Sequence, residues 1–184
     1  MANFDPNRWY QLLVKSTSDA QSMDGTSLFN NGGGAVFFQI TNTSDAEQQW
    51  QLYPYNSSFY VLRTKASGPD SAMNVFASDT ESTPGGTVPA MHNFALSDDS
   101  KFWQISPWGD GTFFLTNAAN GTAWHLLVKS NSLMAMSSNI TLPQDGQSFS
   151  FNALGIINDD SFSSLNVYTT LPVIFKQHTN INTL

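Results

Sequence analysis

The chain contains no cysteine. Disulfides, thiolate metal sites and cysteine nucleophiles are therefore excluded, and bridges reveal nothing about its redox compartment. Charge is scarce as well: 11% of the 184 residues are Asp, Glu, Lys or Arg, and only seven are Lys or Arg. Those seven are scattered, so no basic cluster can neutralise a row of phosphates, and nucleic acid is not an expected partner. A net charge of −7 and a pI near 4.5 agree with this and disfavour anionic membrane surfaces. No apolar run reaches the roughly 18 residues that suggest a membrane-spanning helix, so no membrane insertion is expected. No basic segment followed by an apolar run opens the chain. It reads as a soluble chain without a signal peptide, and a mature form with its leader removed reads identically.

Enzyme signatures are missing too. There is no Gly-x-Ser-x-Gly, no P-loop, no Gly-x-Gly-x-x-Gly and no His-Glu-x-x-His. The run "NNGGGAV" at 30–36 lacks the lysine and the following helix of a phosphate loop, so it reads as a hairpin turn. His92, His125 and His178 have no zinc-ligand spacing. The "DD" pairs at 98–99 and 159–160 read as solvated turns rather than a glycosidase pair. No catalytic residue, metal or cofactor is expected.

What is present is aromatic and polar but uncharged. Aromatics make up 13% of the chain, with 14 Phe and 5 Trp, enough both to fill a core and to offer stacking faces. Four Asn-x-Ser/Thr sequons, at Asn42, Asn56, Asn120 and Asn139, are about the three or four that this composition gives by chance. They permit secretion without indicating it.

Repetition organises the sequence. "YQLLVKSTS" at 10–18, "YVLRTKASG" at 60–68 and "FFLTNAANG" at 113–121 each open on an aromatic. Each has leucine two residues on (Leu12, Leu62, Leu115) and closes in a small turn-forming cluster. A second marker, Trp50, Trp103 and Phe149, keeps step with the first. Between the markers each unit holds short segments rich in aromatic and aliphatic residues, bounded by Gly, Asn, Asp and Ser. In the first unit these are "YQLLV", "TSLFN", "AVFFQI" and "QWQLYP"; in the third, "FFLTN", "TAWHLLV", "LMAMS" and "SFSFNAL". No window carries apolar residues at helical spacing for three turns, so the chain is expected to be all-β, four strands to a unit.

Gln48-Gln49-Trp50, Lys101-Phe102-Trp103 and Gln147-Ser148-Phe149 close the units. This recurring Gln-x-Trp resembles the ricin B-type lectin domain, also called carbohydrate-binding module family 13, over about residues 8–154. The resemblance implies a β-trefoil of three four-stranded repeats with pseudo-threefold symmetry, near 8–54, 55–107 and 108–154. It also implies that each closing aromatic packs at the core while the glutamine helps hold a loop. Leu12, Leu62, Leu115, Trp50, Trp103 and Phe149 are expected to be buried. Residues 155–184 then form an extension, in which "INDDSFSS" reads as a linker and "LNVYTTLPVIF" as a docking strand that also offers a route to self-association.

The family places an aspartate after the first strand, an aromatic on a later hairpin and an asparagine just before the Gln-x-Trp glutamine. Glu47, Ser100 and Gly146 stand at that asparagine position. At the aspartate position the third unit offers His125, the second Asn74 and the first only the nearby Asp24. Asn117, Trp124, His125 and Asn139, with Gln147 to hold the loop, are the most suggestive sugar-binding set. In the alternative reading Trp124 faces the core and His125 faces solvent. Trp108, between Pro and Gly, is either a stacking face or a cap on the barrel. The first unit keeps Gln48 and Asp24, with Phe37 and Phe38 for stacking.

These features are expected to make the chain a non-catalytic carbohydrate-binding module or lectin, extracellular or at a cell surface, with glycans or polysaccharide as partners. A cytoplasmic location is the alternative. The competing function is a protein-binding trefoil, such as a protease inhibitor, acting through the turn-rich 77–93.

Overall fold

A computed structural model describes residues 2–15, 26–30, 34, 36–76, 88–93, 99–129 and 131–165. Among them run twelve strands: β1 (Arg8–Lys15), β2 (Thr26–Asn30), β3 (Val36–Ile40), β4 (Trp50–Pro54), β5 (Tyr60–Thr64) and β6 (Ser71–Phe76), then β7 (Val88–Asn93), β8 (Trp103–Pro107), β9 (Phe113–Asn117), β10 (His125–Val128), β11 (Met134–Ser137) and β12 (Ser148–Ile156). The only helical elements described are 3-10 turns at Ala46–Gln48, Asp99–Lys101 and Asp160–Phe162. The expectation of an all-β chain is met.

Six strands close into a barrel in the order β1-β4-β5-β8-β9-β12, with β12 returning to β1. The two sequence markers of each unit meet across this barrel. Tyr10 pairs with Trp50, Tyr60 with Trp103 and Phe113 with Phe149. Strand alternation then sends Leu12, Leu52, Leu62, Ile105 and Leu115 inward with Trp50, Trp103 and Phe149, and all eight are buried as one core. A buried indole needs a partner for its N–H, and Trp103 Nε1 donates to the Met73 carbonyl at 2.8 Å.

The other six strands form the hairpins β2–β3, β6–β7 and β10–β11, which follow the ends of β1, β5 and β9. β3, β7 and β11 pack against one another, and Phe38, Met73, Met91, Leu126 and Met136 carry the hairpins into the barrel core. At the starts of β1, β5 and β9 the barrel is plugged by Phe4. Its ring centroid lies 5.4 Å from Tyr10, 5.6 Å from Tyr60, 6.1 Å from Phe113 and 4.7 Å from Phe151. Tyr60 Oη donates to the Ala2 carbonyl at 2.6 Å and Tyr10 Oη accepts from the Asp5 amide at 2.9 Å, holding the plug in place.

The chain after the third unit departs from expectation. β12 continues through Ile156, so a boundary at 154 falls inside a strand. "INDDSFSS" is not a free linker: Ile157 and Phe162 are buried against Trp9. Arg63, fully buried on the outer face of β5, reaches this segment by donating to the Phe162 and Ser164 carbonyls at 2.8 and 2.9 Å. Asp159 and Asp160 are exposed, as a solvated pair should be, and Asp159 caps the 3-10 turn. Of "LNVYTTLPVIF" only Leu165 is described. It packs on Val61, Ala72 and Phe102. The turn-rich stretch 77–93 also divides, since Val88–Asn93 is strand β7 and 77–87 lies outside the described residues.

Candidate functional site

The third hairpin decides which residues face outward. β10 and β11 pair His125 with Ser137, Leu126 with Met136, Leu127 with Ala135 and Val128 with Met134. The second hairpin has the same pattern: Ala72 opposite His92, Met73 opposite Met91 and Asn74 opposite Ala90. Aligning the buried Leu126/Met136 and Met73/Met91 pairs makes Leu127 the counterpart of Asn74, and Ala72 that of His125. The equivalence of His125 with Asn74 is therefore off by two residues. Two is the strand period, so both placements put polar and apolar residues on the right faces, and composition cannot separate them.

His125 does not face solvent. Phe114 stacks on its imidazole at 4.2 Å, Trp108 meets it edge-on at 5.3 Å, and the side chain is buried. Burial pushes its pKa below the ordinary histidine value, while the nearby Gln147 side chain pulls it part of the way back. Neither His125 Nδ1 nor Gln147 Oε1 completes a hydrogen bond of good geometry. Trp108 covers the imidazole. It is half-buried, 4.7 Å from Phe114, and its Nε1 donates to the Gln147 carbonyl at 3.2 Å. Trp124 precedes the strand and packs, partly buried, against the main core. Asn117 is spent on structure. Its Nδ2 donates to the Ser100 carbonyl at 2.7 Å and its Oδ1 accepts from the Ala119 amide at 3.0 Å.

Asn139 and Gln147 do come together. Gln147 Nε2 donates to the Asn139 carbonyl at 3.0 Å, holding the loop that follows β11, while Asn139 is itself exposed. Between them opens a cleft of about 340 Å³. Leu127 and Pro143 supply its apolar wall, and Ser137, Asn139, Gln144 and Asp145 its polar lip, with Gln147 behind. The polar "PQDG" turn at 143–146 lies just before the glutamine, and its last residue stands where the resemblance to the ricin B-type domain leads one to expect an asparagine. Here that position requires glycine. Gly146 has φ +78°, and a Cβ on it would lie 2.1 Å from the Val128 carbonyl oxygen, so no asparagine fits.

The first unit closes more tightly. Gln48 Oε1 accepts from the Asn42 amide at 2.8 Å and its Nε2 donates to the Ile40 carbonyl at 3.0 Å, so both ends of the amide are used. Phe38 is buried in the core, Phe37 is half-buried, and Asp24 lies outside the described residues. In the second unit Asn74 and Lys101 are both buried. No group of three or more His, Asp or Glu able to hold a metal occurs among the described residues.

No protein-family model and no curated protein sequence matches the chain. Solved structures share its fold. A designed 3-fold symmetric protein, ThreeFoil, aligns with a TM-score of 0.64 at 20% identity, covering 79% of this chain and 99% of that one. An exo-β-1,3-galactanase from Clostridium thermocellum aligns with a TM-score of 0.61 at 17% identity over 80% of this chain. A GlcNAcα1-4Gal-releasing endo-β-galactosidase from Clostridium perfringens gives 0.59 and 12%, also over 80%. The chain spans 30% and 33% of those two enzymes. At these identities the likeness is one of fold.

Proposed function

We propose that the chain is a non-catalytic carbohydrate-binding module of ricin B-type β-trefoil architecture, with repeats near 8–54, 55–107 and 108–154 and its glycan in the third-unit cleft. The observation that carries this reading is the cleft itself. Leu127 and Pro143 line it together with amide, hydroxyl and carboxylate groups, and its size is in the range of ligand-sized pockets, about 300–1,000 Å³. A pyranose has one apolar face and a rim of hydroxyls, and needs both kinds of group. The fold shared with part of two galactoside-cleaving enzymes supports the class, and the paired markers across the barrel support the threefold architecture. An extracellular or cell-surface location goes with glycan binding.

Among the described residues no free aromatic face lines the cleft, so binding is weak, in the millimolar range or about −4 kcal/mol. A glycan array followed by titration of the best hit tests the proposal. Asn139→Ala and Gln144→Ala should each weaken binding several-fold, and Gln48→Ala, if folded, should leave it unchanged. Silence on the array together with inhibition of a protease would replace this reading with a protein-binding trefoil.

A further inference from the structure

A second cleft, of about 370 Å³, lies on the barrel wall, outside the hairpins. Pro6, Tyr53, Pro54 and Ile157 give it apolar sides, and Asp159 and Asp160 stand on its rim. It exists because residues 157–163 dock beside β4; without them Tyr53 would lie on an open wall.

The ring of Tyr53 is held from two sides. Its Oη donates to the Ser163 carbonyl at 3.1 Å, and the Arg63 guanidinium carbon sits 5.0 Å from its centroid. All the N–H groups of Arg63 are engaged. Nε and Nη2 donate to Gln51 Oε1 at 2.9 and 2.5 Å, Nη2 also to the Phe162 carbonyl, and Nη1 to the Pro69 and Ser164 carbonyls. Burial lowers its pKa to about 10, so it stays charged at neutral pH. The cation thus stiffens the aromatic floor and offers no donor to a ligand.

We propose that this wall cleft is a second saccharide site, built jointly by the barrel and the segment after β12, which takes one neutral hexose-sized unit. The sugar's apolar face lies on Tyr53 and Pro54, and its hydroxyls donate to the carboxylates of Asp160 and Asp159. Asp159 keeps Oδ2 for this, because its Oδ1 already accepts from the Ser161 amide and hydroxyl at 3.0 and 2.6 Å. Asp160 sits beside it in the same 3-10 turn. A cationic ligand fits less well. It would stack on a ring that already carries a guanidinium. A neutral polyol gains charge-assisted hydrogen bonds without that repulsion.

The ligand class rests on the carbohydrate-binding reading, but the site uses none of the third-unit residues, so the two can fail separately. The test is titration of the isotope-labelled full chain with D-galactose, D-glucose and, as a cation, L-lysine, followed by amide shifts. Saturable shifts at Asn7, Tyr53 and Asp160 with a hexose, weakened about tenfold by Asp160→Asn, are expected. Asp160 is exposed, so that variant should fold. Shifts confined to Leu127, Asn139 and Gln144 would overturn this inference and leave the third-unit site standing. Shifts confined to the wall cleft would do the reverse. Shifts at neither place with either hexose would sink both, and wall-cleft shifts with lysine alone would make it a cation site.

Discussion

Gln48 and Gln147 stand two residues before a buried aromatic, each with a carbonyl partner eight residues upstream, and their surroundings finish them differently. Gln48 bridges Ile40 and Asn42 with both ends of its amide. Gln147 holds Asn139 with its Nε2 only; its Oε1 is turned into the protein beside His125, short of a good hydrogen bond. The same residue type closes one loop completely and leaves the other with a buried imidazole on one side and a cleft on the other. A glutamine in this motif is thus first a fastener. Whether a ligand site remains next to it depends on what the hairpin presents, here Leu127 and Ser137.

The aromatics that follow should respond alike, and a difference there would undo the equivalence. Trp50 and Phe149 are both fully buried in one core, each opposite the first aromatic of its unit. Trp50→Ala and Phe149→Ala should each cost about 3–5 kcal/mol in denaturant unfolding, since each leaves a large cavity in a packed interior. A loss below about 1 kcal/mol at either position would show that the two are not equivalent core residues.

That equivalence was legible in the sequence because it rests on short segments recurring in register, with inward residues fixed by alternation. What was not legible depends on single residues acting over long distances. Phe4 precedes the first repeat and carries no pattern of its own, yet it meets the first aromatic of every unit. Arg63 reads as an ordinary strand residue until residues 162–164 arrive about a hundred positions later to accept its donors. Of the candidate set, the Gln-x-aromatic motif marks Gln147, and its hydrogen bond to the Asn139 carbonyl brings those two together. His125 was misplaced because a two-residue shift preserves strand parity, and Gly146 looked like a lost asparagine when the Val128 carbonyl leaves room for nothing larger.

A smaller effect sharpens the contrast between the two glutamines. Gln48→Ala removes two hydrogen bonds and should cost about 2 kcal/mol, whereas Gln147→Ala removes one and should cost about 1 kcal/mol. Unfolding midpoints of the two variants check the order. Equal losses would mean that Gln147 Oε1 is partnered by His125 after all, and that the two amides are equally complete.

The smallest expected effect comes from protons and is confined to the third unit. Phe114 and Trp108 keep the His125 imidazole from water, which disfavours its charged form in the folded chain. In the unfolded chain the imidazole titrates near its ordinary value of 6.5. As pH falls through that value, the unfolded state takes up a proton that the folded state resists, so stability declines until the lowered folded pKa is reached and then levels off. Above pH 6.5 both states are neutral at this site and the contribution is fully present. Comparing wild type with His125→Gln on both sides of that pH isolates the effect, because all other groups are common to the two proteins. The decline should be steeper in wild type. If instead wild type held its stability better than His125→Gln on the acid side, Gln147 would be stabilising a folded imidazolium, and the buried pair would be a charged fastener where Gln48 is a neutral one.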